Sequence, residues 1–146
     1  MARTTIDELL AGARAGLVRV QPHEARDAID SGALLIDIRS ESQRAADGVV
    51  TGAIWFARNV LEWRCDPSCE ARDDRVGDLE RRVIVMCDAG YQSSLAAATL
   101  QQLGFASATD LDGGFQAWRA AGLPVAPASV SQVPGGGVEA RGASRR

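Results

Sequence analysis

The stretch VIVMCDAGYQSSLAAATL, residues 83–100, decides the fold. Its first four residues are apolar and mostly β-branched, the pattern of a short strand buried on both faces. From Gln92 the run turns alanine-rich, predicting a helix over residues 92–103 that Gly104 ends. Cys87 thus stands at the carboxyl end of a strand, where the chain bends into a helix. A second run of the same kind, ALLIDI at residues 33–38, is apolar apart from Asp37 and reads as a neighbouring buried strand.

Working outward, Thr5 and Glu8 have capping-box spacing, predicting a helix to about Ala15. Residues 17–20 read as a short strand, and Pro22 opens a helix through Ile29. Residues 41–46 have helical spacing, 53–56 form a short strand, and 59–64 a turn or two of helix. Residues 65–80 are strongly charged and contain Pro67 and Gly77, predicting a surface excursion. A last strand is expected at 108–111, followed by a helix that places Phe115 and Trp118 on one face before Gly122 and Pro124 stop it. Strands alternating with helices across short connections imply an α/β fold, a parallel sheet covered on both faces. The expected organisation is an N-terminal helix and lead-in over 1–17, one domain over 18–126, and a Gly-rich, disordered tail over 127–146.

With 46% hydrophobic and 24% charged residues in a chain of 146, the composition is that of a soluble domain with a single core. A net charge of −3, with no arginine cluster except weakly at the end, argues against nucleic acid as a partner. All 16 basic residues are Arg. No apolar run approaches the roughly 20 residues that span a bilayer, so no membrane partner is expected. The first residues carry Asp7 and Glu8 and lack the core of a signal peptide, so the expected location is cytoplasmic. Three cysteines, Cys65, Cys69 and Cys87, make neither a disulfide framework nor, with the single His23, a zinc site; no metal or other cofactor is expected. His23 reads as a solvent-facing helix residue.

In open parallel sheets, ligands bind beyond the carboxyl ends of strands, where Cys87 lies. A loop turning there into a helix leaves backbone N–H groups unpaired, and these with the positive end of the helix dipole attract an anion. The same field favours thiolate over thiol. Read from position alone, Cys87 is either a nucleophile or a small hydrophobe packed under the helix, and both readings stand at this point.

Four pieces in order carry a resemblance to a known family: LLIDIRS (34–40), GVVTGA (48–53), CDAGYQSS (87–94) and LDGGFQAWRAAGLPV (111–125). Over residues 18–125 the chain resembles the single-domain rhodaneses, a family of sulfurtransferase modules. The resemblance implies the three-layer rhodanese-like fold, a parallel five-stranded sheet with helices on both faces. It also implies that Cys87 takes sulfur from a small sulfur-containing anion or persulfide donor, holds it as a persulfide, and passes it to a thiol or protein acceptor. The loop Asp88, Ala89, Gly90, Tyr91, Gln92 and Ser93 would cradle the persulfide, Gly90 allowing its curl, with Ser94, Asp37 and Arg39 in support. Ser93 and Ser94 could cap the helix or donate toward sulfur, and Asp37 with Arg39 is better read as a structural ion pair.

Related phosphatases carry a loop one residue longer, with five residues separating the cysteine from an arginine; Ser93 stands at the arginine's place here. The sequence departs from the family in Asp88 and in Gln92, where many rhodaneses end the loop in a basic residue, and in Val49 and Thr51 of GVVTGA. An inward-facing Asp88 would repel thiosulfate more than a neutral or protein-bound persulfide. The alternative to catalysis is a rhodanese-like module that binds a partner or senses redox state through Cys87.

Overall fold

The computed structural model of the chain describes residues 2–128. Four parallel strands, β1 (Leu34–Asp37), β2 (Ile54–Trp55), β3 (Val83–Met86) and β4 (Thr109–Asp110), form one sheet in the order β2-β1-β3-β4. The central pair runs in register from Leu34 beside Val83 to Asp37 beside Met86. Helices α1 (Ile6–Ala15), α2 (Pro22–Asp30), α3 (Glu41–Asp47), α4 (Leu61–Cys65), α5 (Gln92–Gln102) and α6 (Gly114–Ala120) alternate with them, and Arg58–Val60 forms a 3₁₀ turn before α4.

Alternation along the strands builds two cores. Leu34, Ile36, Val83 and Val85 face one side with Leu61, Ala96, Ala97 and Leu100 of α4 and α5. Leu35, Ile84 and Met86 face the other with Ala25 of α2 and Phe115 and Trp118 of α6. Both faces being covered explains why the strands read as unbroken apolar runs. The Trp118 indole N–H donates to the Pro124 carbonyl at 2.9 Å, so this large side chain is buried with its polar atom satisfied.

The expected fold is observed with one difference in strand number: four strands form ladders, not five. The lead-in at 17–20 contributes a single parallel bridge, Val20 to Leu111, beside β4. Val18 is exposed and Leu17 packs into the opposite core, which leaves Val20 alone to extend the sheet. The excursion over 65–80 also differs from expectation. Cys65 and Val76 are fully buried in the core with Phe56 and Leu61, and Asp73 ties back to Arg64 and Arg75. The charge of this segment lies on the surface, but two apolar plugs fix it to the domain. The expected tail beyond residue 128 lies outside the described residues.

Among the described residues, no helix is long and apolar enough to cross a membrane, and no group of three or more His, Cys, Asp or Glu could hold a metal ion. His23 is exposed on α2.

Candidate active site

Cys87 leaves the end of β3 and is buried. Its sulfur accepts from the backbone N–H of Gly90 at 3.1 Å and of Ser93 at 3.4 Å. The loop's first carbonyls are bonded outside it. The first amides of α6 are helix-terminal donors without intrahelical partners, and they take up the loop: Phe115 N–H donates to Cys87 O at 2.8 Å and Gln116 N–H to Asp88 O at 3.1 Å.

Two glycines make this contact close enough. Gly90 has φ of 90°, and a Cβ there would stand 2.7 Å from the Gly113 nitrogen. A Cβ on Gly114 would stand 2.5 Å from Cys87 O. The LDGG segment is therefore the floor against which the cysteine loop is pressed.

The structure brings the expected residues together in different ways. Ala89, Tyr91 and Gln92 are exposed on the loop rim. The Asp88 carboxylate accepts from the Gln116 side chain at 2.9 Å, which ties it to α6. Ser93 and Ser94 are buried, and their hydroxyls neither cap α5 nor donate to the sulfur: both donate to Asp110, at 2.7 and 2.8 Å. Asp37 and Arg39 form a buried two-pronged pair, with 3.1 and 2.9 Å between the guanidinium and the carboxylate, and Arg44 adds a 3.3 Å contact. The Arg39 guanidinium lies 3.8 Å from the centroid of Phe115, so it stacks on the residue whose amide holds Cys87 O.

Three residues in the site escaped sequence reasoning. Asp110, fully buried, accepts from both serines and from Arg19 at 2.9 and 3.1 Å. Arg19 also donates to Gly90 O at 2.9 Å and to Asp112 at 3.1 Å. Partial burial works against its cation, but the hydrogen bond and charge of Asp110, with the charges of Asp112 and Cys87, outweigh that and hold the guanidinium above its ordinary value. Arg14 of α1 reaches the same carbonyl at 2.8 Å and Ser94 Oγ at 3.0 Å. The available signal was an ionisable residue inside an apolar strand run: Arg19 within LVRV and Asp110 within ATDL.

Comparisons with known proteins give the family and the fold. The model of the family described as Rhodanese-like domain matches residues 21–121. The chain is 36% identical over 102 residues to thiosulfate sulfurtransferase GlpE of Pseudomonas fluorescens, spanning 69% of this chain and 84% of that one. Among solved structures, a Rhodopseudomonas palustris protein of unknown function, described as a possible tyrosine phosphatase, superposes with a TM-score of 0.77 at 28% identity, covering 86% of this chain and 98% of its own. The polysulfide-sulfur transferase homodimer of Wolinella succinogenes superposes with a TM-score of 0.65 at 27% identity, covering 84% and 87%.

Proposed function

The chain belongs to the rhodanese-like domain family, and on that footing we propose that it is a sulfurtransferase in which Cys87 carries the sulfur. The observation that supports this most is the pair of backbone N–H groups turned on the Cys87 sulfur at the end of β3. They stabilise negative charge at that spot without a side-chain base.

The cycle has two displacements. The Cys87 thiolate attacks the outer sulfur of a donor such as thiosulfate, a new S–S bond forms, and the donor's own S–S bond breaks with its electron pair leaving on sulfite. The persulfide so formed is an anion held by the N–H groups of the 88–93 loop. A nucleophilic acceptor then attacks the outer sulfur, the persulfide bond breaks, and the thiolate returns. Charge balances in both halves, and neither needs an oxidant or a reductant.

Phosphate-ester hydrolysis fits the site less well. A bidentate guanidinium on the phosphate is the expected device, and position 93 holds a serine that spends its hydroxyl on Asp110. The rim also bears on the donor. Gln92 supplies no cation there and Asp88 adds an anion at the loop's start, whereas Arg14 and Arg19 lie against the Gly90 carbonyl. This favours a neutral or protein-bound persulfide over thiosulfate as the donor, with a thiol as acceptor.

The test is mass spectrometry after incubation with thiosulfate, polysulfide or a persulfidated protein. A gain of one sulfur atom on Cys87, discharged by an added thiol and absent in Cys87→Ser, is expected. A protein that acquires no sulfur from any donor would instead be a binding module.

A further inference from the structure

Arg14 and Arg19 lie outside the residues matched by the family model, yet both end on the cysteine loop. Helix α1 buries none of its residues and still packs along α5. Its last turn carries Arg14, whose guanidinium grips two loop residues and the first turn of α5: Nη2 donates to Gly90 O, the group lies 5.6 Å from the centroid of the Tyr91 ring, and Nε donates to Ser94 Oγ. With Arg19 donating to the same oxygen, the Gly90 carbonyl is engaged by two cations, and Asp110 and Asp112 pair with Arg19.

We infer that Arg14 is a positioning residue for the cysteine loop, holding the Gly90 carbonyl so that the loop N–H groups stay turned toward Cys87. The inference rests on the reading of that loop as the sulfur site. Gly90 is the loop residue with the widest conformational freedom, and its N–H is the nearer of the two donors to the sulfur. In a trans peptide the C=O and the next N–H point in opposite directions. Fixing the Gly90 carbonyl on the guanidinium pair therefore aims the Tyr91 N–H away from that pair. The Gly90 Cα joins this peptide to the one whose N–H donates to Cys87, so a carbonyl released from the guanidinium pair also frees the Gly90 N–H to turn from the sulfur. A planar fork is needed for the grip, since its two donors reach Gly90 O and Ser94 Oγ at once; an ammonium on a flexible stem keeps the charge but not that geometry.

The test reads Cys87 without any sulfur donor. The rate at which iodoacetamide alkylates the Cys87 peptide is followed against pH by mass spectrometry for the parent, Arg14→Ala and Arg14→Lys, beside thermal melts and sulfur-transfer kinetics. Both variants should melt cooperatively, and Arg14→Ala should alkylate about tenfold more slowly near neutral pH with the rate curve displaced to higher pH, and lose kcat more than it raises KM. Lysine should recover less than half of the loss. If Arg14→Ala kept the parent's alkylation curve, or Arg14→Lys fully restored it, the positioning role would be overturned. A displaced curve in a protein that transfers no sulfur would refute the sulfurtransferase reading and uphold the positioning role. An unchanged curve in an active enzyme would do the reverse.

Discussion

The Ser93 hydroxyl donates to the Asp110 carboxylate at 2.7 Å, fastening the first turn of α5 to the end of β4 beneath the cysteine loop. Asp110 has no exposure and also holds Ser94 and Arg19, so its partners are unequal in what their loss should cost. Ser93→Ala removes one of several donors and should cost about 1 kcal/mol. Asp110→Ala leaves two buried hydroxyls without their acceptor and takes the buried partner from Arg19, which keeps Asp112 and the Gly90 carbonyl, so it should cost more, about 2–4 kcal/mol. Urea denaturation of the two variants checks the ratio, and equal losses would show that the serine bonds, not the ion pair, carry the junction.

Gly90 combines a φ of 90° with a Cβ position 2.7 Å from the Gly113 nitrogen, a backbone atom that cannot swing aside. Gly90→Ala must therefore push the loop off α6 or change its own dihedrals, and either movement withdraws the N–H from Cys87. Sulfur transfer should fall by at least about tenfold, while stability drops by roughly 1–3 kcal/mol. Kinetics and a thermal melt on the same preparation separate the two effects.

Legibility in the sequence followed the range of the signal. The strands around Ile36 and Val85 are buried on both faces and announce themselves as apolar runs, and α1 begins where the Thr5 and Glu8 pair predicts. Cys87 could be placed because a strand end and a helix start are adjacent in the chain. Arg14 and Arg19 meet Gly90, Ser94, Asp110 and Asp112 from 71 to 93 positions away, and no local pattern encodes such a meeting. Cys65 and Val76 were illegible for a related reason: each is an apolar residue in a charged neighbourhood, and its burial is decided by Phe56 and Leu61 from another part of the chain.

Burial pushes the Cys65 thiol from 9.0 up to about 12, with Glu62 and Asp73 adding to it. The sign follows from which state releases the proton. Below about pH 9 the thiol is protonated in both states and its contribution to stability is complete; above that the unfolded chain ionises while the native one does not. Stability should therefore fall as pH rises from 9 toward 12, by up to about 4 kcal/mol at the top of that window. The chain has no lysine, arginines stay charged throughout, and the single tyrosine, Tyr91, is exposed. Denaturant stability across this range should flatten in Cys65→Ala relative to the parent, and parallel curves would mean that the native thiol ionises as easily as the unfolded one. At neutral pH, sulfur transfer should survive replacement of both Cys65 and Cys69.

Charge on the loop rim gives the last prediction. Gln92 is exposed at the first position of α5, and a cation introduced there would face the approach of an anionic donor. At a separation of about 6 Å and an effective dielectric near 20, one unit charge contributes on the order of 2–3 kcal/mol before exposure and salt reduce it. A third of that is still several-fold in binding. Gln92→Arg should therefore lower KM for thiosulfate several-fold at low ionic strength, with the gain shrinking as salt is added and nearly absent for a neutral persulfide. Asp88→Ala should act in the same direction but less, because it also frees the Gln116 amide that now links Asp88 to Asp47. Steady-state kinetics of both variants at low and high salt decide the matter. An equal gain with neutral and anionic donors would show that the substitutions reshape the loop, and a gain indifferent to salt would show that charge at the rim does not select the donor.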